Sequence, residues 1–145
     1  MSSRSVAQEF FAGMQSGDTD KVSGLLAPGA SVSLVPLGVT GTMAGEGAAY
    51  LRALAEAFPD LLVRIRRLFV TADNAAVAEV TLDGTQAADF LGAVNQEKHF
   101  DLNQAWILQV DDAGQITAVT GYWCQNQAWR RLGVKRLDKV TITAR

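Results

Sequence analysis

The chain has 145 residues, 48% of them apolar, enough for one domain with its own core. A net charge of −2, with basic and acidic residues interspersed, excludes the strongly basic face that nucleic acid requires. No apolar run reaches the roughly 18–20 residues of a membrane span. The start, Met1 to Ser5, has no signal-like apolar region, and a sole Cys124 cannot form an internal disulfide, so a cytoplasmic protein is expected.

Residues 5–16 read as a helix, with Val6, Phe10 and Met14 recurring every four positions beside Ala7 and Phe11. Ser16-Gly17 stops it. Asp18 or Thr19 can cap a second short helix that buries Val22, Leu25 and Leu26, and Ala27-Pro28-Gly29 ends that one. A strand over 30–35 follows. The glycine-rich stretch 38–47 predicts a turn or short hairpin leading to a third helix, with Leu51, Leu54 and Phe58 on one face and a break at Pro59-Asp60.

The hydrophobic period then changes to two. Val63 and Ile65 alternate with Arg64 and Arg66, and the alternation fails at Arg67-Leu68, which suits a bulge. Asp73-Asn74 turns the chain into a strand carrying Ala76, Ala78, Val80 and Leu82 on one face. A long connection, 84–98, leads to the clearest strand. Phe100, Leu102, Gln104, Trp106, Leu108 and Val110 share one of its faces; Asp101, Asn103, Ala105, Ile107 and Gln109 share the other. Asp111–Gly114 turns, and 115–124 runs back as the last strand. Helices followed by a meander of antiparallel strands mean α+β.

Centring the last turn on 112–113 pairs Gln104 with Gly121, Trp106 with Val119 and Leu102 with Trp123. Direct partners share a sheet face. That face holds Leu102, Gln104, Trp106, Leu108, Val119, Gly121 and Trp123, apolar but for one amide. An unpaired buried amide costs about 1–3 kcal/mol, so Gln104 either bonds another protein group or faces a ligand or water. Trp106 and Trp123 are either core or the walls of a pocket, and Gly121 leaves a gap beside Gln104. On the opposite face, Cys124 falls across from Asp101 with His99 diagonal to it, a weak pattern for a thiolate nucleophile. No metal site is expected, because one His and one Cys are too few, and no phosphate-binding glycine loop is present. The Arg64, Arg66, Arg67 cluster reads as a solvated strand face, or as a place that steers an anion.

Short motifs carry a resemblance over about residues 6–134. They are Phe10-Phe11 with Ser16-Gly17-Asp18, Leu26-Ala27-Pro28, Ala57-Phe58-Pro59-Asp60-Leu61, Asp89-Phe90-Leu91-Gly92, Asp112-Ala113-Gly114-Gln115-Ile116 and Arg130-Arg131-Leu132-Gly133. In order and spacing they resemble the SnoaL-like polyketide cyclase branch of the nuclear transport factor 2-like superfamily. The resemblance implies one domain over 1–145, with 134–145 a C-terminal extension. It implies a cone-shaped barrel of curved antiparallel sheet with three helices in the N-terminal half, enclosing one pocket. It also implies a hydrophobic small-molecule ligand, no cofactor, and a homodimer built through the sheet. Such cyclases use a His and an Asp as acid and base. Those positions fall at Trp106 and Gly121, so the usual pair is missing.

Three readings follow. The first is a natural-product tailoring protein that promotes ring closure by orientation, such as a [4+2] cyclisation. Gln104 is then the catalytic candidate, and Trp106, Trp123, Leu102, Gly121, Val119, Phe58 and Tyr50 line the substrate site. The second is an acid–base cyclase or isomerase with relocated groups, drawn from Tyr50, Asp89, Asp101 and Glu79. The third is a non-catalytic binding or dimerisation module.

Overall fold

The computed structural model describes residues 1–134, so any structure in the expected extension beyond Val134 lies outside the described residues. Ser2 caps α1 (Ser3–Ser16), its hydroxyl accepting from the Ser5 amide, and Gly17 closes the helix in the left-handed conformation. Val6, Phe10 and Met14 lie on the buried face of α1, as their spacing requires. Asp18 caps α2 (Thr19–Ser23), which buries Val22; Leu25 and Leu26 are only half-buried.

β1 (Leu26–Leu34) starts earlier than the sequence suggested. Pro28 and Gly29 lie within it, at an irregularity between Leu26 and Ser31 where no pairing is kept. β2 (Val39–Thr42) folds back on β1, and a widened helical turn, Met43–Gly47, leads into α3 (Ala48–Ala57). That entry is locked by reciprocal bonds. The Thr42 hydroxyl accepts from the Gly45 amide, and Glu46 Oε1 accepts from the Thr42 amide. These backbone bonds hold the Glu46 carboxyl below its ordinary pKa. A Cβ on Gly41 would overlap the Glu46 carboxylate at 2.0 Å, which is why glycine stands there.

β3 (Leu62–Val70), β4 (Ala75–Thr85), β5 (His99–Val110) and β6 (Ile116–Trp123) form the meander. The β3 bulge falls at Arg66, between the pairs Ile65–Val80 and Arg67–Glu79, one residue before the expected place. The sheet order is β2-β1-β6-β5-β4-β3. Two features differ from the cone-shaped antiparallel barrel. β1 runs parallel to β6, so the sheet is mixed, and β2 and β3 are edges, so it does not close. A fourth helix, α4 (Gln125–Arg131), follows β6 directly.

The β5–β6 register also differs. The chain reverses over Asp111–Gln115, and Thr117 is extra between the pairs Val110–Ile116 and Gln109–Ala118. Trp106 therefore faces Gly121, Gln104 faces Trp123 and Leu108 faces Val119. Each expected pair is displaced by two residues. Because the side-chain period is two, the same residues still share the inner face.

The core lies between that face and the helices. Phe10, Phe11 and Met14 of α1 and Leu51 and Leu54 of α3 are buried with Val80, Leu82, Leu102, Trp106 and Leu108 of the sheet. No helix among the described residues is long and apolar enough to cross a membrane.

Candidate functional site

Gln104 and Trp106 are consecutive inward positions of β5, 4% and 1% exposed, and Tyr50 reaches them from α3 at 5% exposed. Trp106 Nε1 donates to Gln104 Oε1 at 2.9 Å, and Gln104 Nε2 donates to the Tyr50 hydroxyl oxygen at 3.3 Å. An indole only donates, which fixes the orientation of the amide. The amide presents its NH2 to Tyr50, so the phenol oxygen must accept. Among the described residues the phenol proton then meets no acceptor. Burial pushes the Tyr50 pKa up to about 12 against the lowering effect of the Gln104 bond, so the phenol stays neutral at physiological pH. The site therefore ends in a neutral, buried hydrogen-bond donor.

Aromatic rings frame this network. Tyr50 stacks on Trp123 with centroids 5.6 Å apart and planes 23° from parallel. Trp106 lies 6.3 Å from Tyr50, 6.1 Å from Trp123 and 6.1 Å from Phe10. The expected gap at Gly121 is occupied. A Cβ there would sit 2.7 Å from Cη2 and Cζ3 of Trp106, so the absence of a side chain at 121 is what seats the indole. Among the described residues the lumen is consequently tightly filled around Tyr50, which lines two spaces of about 10 Å³ each. The first lies toward Phe10, Val32 and Leu34, the second toward Leu82, Phe90 and Leu102. Either is room for about one water.

The structure gathers Gln104, Trp106, Trp123, Gly121 and Tyr50 into one cluster. Leu102 borders the second space. Val119 is buried between Leu108 and Val32 and borders neither space. Phe58 also stands apart; its ring stacks on Phe100 at 4.5 Å and meets Phe90 edge-on. The relocated carboxylates do not enter the lumen. Asp89, Asp101 and Glu79 are all exposed: Asp89 accepts from the Asn95 amide, Asp101 pairs with Arg131 and Glu79 pairs with Arg67.

The thiolate arrangement does not form either. Cys124 is the exposed N-cap of α4, its sulfur accepting from the Gln127 amide. His99 is held by Asp83 at 2.7 Å and Thr85 at 2.8 Å. Each member of the expected trio is engaged elsewhere, because β6 ends at Trp123, before Cys124 can pair with β5. Among the described residues no group of three His, Cys, Asp or Glu side chains is placed to hold a metal.

Two features escaped the sequence reading. Gln125 of α4 accepts from Trp123 Nε1 at 2.7 Å and anchors the outer edge of the aromatic cluster. Ala128 and Leu132, buried four residues apart, were the available sign of that helix. The other is a groove of about 610 Å³ lined by Arg66, Glu79, Asn103, Ala105, Tyr122 and Trp123 among others.

Comparison with known proteins agrees with this architecture. No curated protein matches the chain in sequence. Among solved structures, TsrD from Streptomyces laurentii superposes with a TM-score of 0.78 at 24% identity, covering 90% of this chain and 94% of that one. IdmH from Streptomyces antibioticus, provisionally described as a polyketide cyclase, gives 0.78 at 19% identity over 92% and 100% of the two chains. A SnoaL-like protein from Jannaschia, provisionally described in the same way, gives 0.77 at 20% identity over 90% of each. At these identities the likeness shows the fold. The profile described as "SnoaL-like domain" matches residues 7–119, well over half of the sequence. The chain belongs to the SnoaL-like domain family.

Proposed function

We propose that this chain is a natural-product tailoring protein that takes a hydrophobic, carbonyl-bearing molecule into its lumen and promotes ring closure by orientation. One observation carries the reading: the Trp106–Gln104–Tyr50 chain of hydrogen bonds ends in a buried phenol whose proton meets no acceptor among the described residues. A substrate carbonyl is the natural acceptor, and the hydrogen bond strengthens as charge develops on its oxygen. In this reading Tyr50 touches the substrate, while Gln104 and Trp106 hold the phenol in place.

General acid–base groups are worth roughly 10²–10⁴-fold, and the positions that carry them in similar cyclases are Trp106 and Gly121 here. A [4+2] closure needs neither group. It forms two σ bonds from two π bonds and moves no proton, so holding the reacting ends together supplies the rate. Spaces of about 10 Å³ hold no such substrate, so entry requires the Tyr50–Trp123 stack to separate. Trp123 is half-buried where Tyr50 is buried, so in this reading it is the ring that swings out, breaking its bond to Gln125.

Titration with a set of polycyclic aromatic ketones, read by quenching of Trp106 and Trp123 fluorescence, tests the proposal. Saturable binding that weakens about tenfold in Tyr50→Phe supports it. No saturable binding of any ketone sinks it.

The nearly full lumen favours a second reading, a non-catalytic module that pairs through its sheet. Ile107 and Tyr122 are exposed apolar groups on the outer sheet face that a homodimer would cover. A dimer in sedimentation, together with an unresponsive lumen, would favour this reading over the first.

A further inference from the structure

A large concavity among the described residues lies on the outer side of the sheet. The groove beside Arg66 and Tyr122 measures about 610 Å³ and falls in the roughly 300–1,000 Å³ range of ligand sites. Arg66, the bulge residue of β3, stands at its rim, with Arg64 and Arg67 flanking it in sequence. Arg64 bonds Asp83 at 3.0 Å, and Arg67 lies 3.6 Å from Glu79. Arg66 faces no carboxylate among the described residues; its partner is the Asn103 amide oxygen at 3.4 Å. The same oxygen accepts from the Thr81 hydroxyl at 2.8 Å.

Two donors on one oxygen fix the Asn103 amide, and its NH2 meets no acceptor among the described residues. The groove thus has a cationic fork and an amide donor side by side. Its own carboxylate, Glu79, is already paired with Arg67. Two adjacent donors with one positive charge match the two oxygens of a carboxylate. The surface next to them is flat and apolar. Ala105 forms a shallow floor, and Tyr122, 44% exposed, offers a ring beside it.

We propose that this groove is a second small-molecule site, selective for a flat aromatic carboxylate held by Arg66 and Asn103 against Tyr122. It opens on the opposite side of the sheet from the lumen, although Gln104 and Trp123 border both, and it does not depend on what the lumen binds.

The probe is 2-naphthoate, added to the isotopically labelled full chain and followed by backbone amide shifts, with sedimentation run in parallel. Saturable shifts centred on Asn103, Ala105 and Tyr122 are expected. Arg66→Gln should weaken binding at least tenfold, and so should replacing the acid by neutral 2-acetylnaphthalene. Ala105→Phe, which fills the floor, should abolish binding in a protein with an unchanged melting temperature. Tyr50→Phe should leave the affinity unchanged. Equal affinity in Arg66→Gln, or shifts centred on Tyr50 and Leu102, would overturn the proposal. So would loss of binding at concentrations where the chain dimerises, because a second copy would then occupy the groove.

Discussion

The two faces of the central sheet solve opposite problems. The inner face is sealed. Its Gln104 amide and Trp106 indole nitrogen bond in series with the Tyr50 phenol of α3, the Trp123 indole bonds Gln125, and the spaces beside Tyr50 are about 10 Å³. The outer face is open, carries nearly all the formal charge of these strands, and holds a groove some tens of times larger. A buried polar group must be matched bond for bond, whereas an exposed one exchanges with water. The same strands therefore have a rigid, uncharged side and a solvated, ionic side. Substitutions on the two sides should differ in size and in kind.

Trp106→Ala should have the largest effect. It removes the biggest fully buried side chain, leaves Gln104 Oε1 without its donor and should cost about 3–5 kcal/mol in urea unfolding. Added indole should restore part of that stability by refilling the space. A loss below about 1 kcal/mol would mean that the inner face is not the sealed side.

The pH dependence should come next. Folded Tyr50 ionises at about 12, above its ordinary value of 10. Above pH 10 the unfolded chain releases this proton while the folded chain keeps it. Stability from this group is therefore complete below pH 10 and falls as pH rises toward 12, at about 1.4 kcal/mol per pH unit. Tyr50→Phe should lose that alkaline slope. An unchanged slope would place the phenol in contact with water.

Gly121→Ala should cost about 1–3 kcal/mol, because the new Cβ would lie 2.7 Å from the indole. In the Trp106→Ala background the same change should cost far less, because the clash is gone; a thermodynamic cycle measures the difference. Additive effects would show that the two residues do not touch. Arg67→Ala should matter least, below about 1 kcal/mol, since its ion pair with Glu79 is more than half exposed. A larger loss would make the outer face a structural one.

The sequence made the inner face legible and its pairs illegible, for one reason. Alternation along β5 assigns faces without reference to a partner strand, so Gln104 and Trp106 were placed correctly. Pairing depends on where the turn begins and on the extra Thr117, and no residue in Asp111–Thr117 announces a bulge. The β3 bulge was legible to within a residue because the arginine run breaks the alternation. Tyr50 was named as a lining residue, but its donor role needed the orientation of the amide, which depends on three-dimensional contacts. The apparent gap at Gly121 was misread because a glycine in a sequence does not say which neighbour fills its place. The Cys124 trio failed because the two-residue displacement of the β5–β6 register aligns position 124 with Asn103 rather than Asp101, and because β6 ends at Trp123.

The Trp106–Gly121 contact also restricts how this site can change. An acid–base pair at these positions would need a carboxylate at 121 and an imidazole at 106. A side chain of any size at 121 meets the indole, so Gly121→Asp made first would be unstable. Trp106→His made first would open a void and loosen Gln104. Each single step carries its own cost and the two residues touch, so the positions are mutationally coupled. The indole that fills the space at 121 thus also fixes what that position can become.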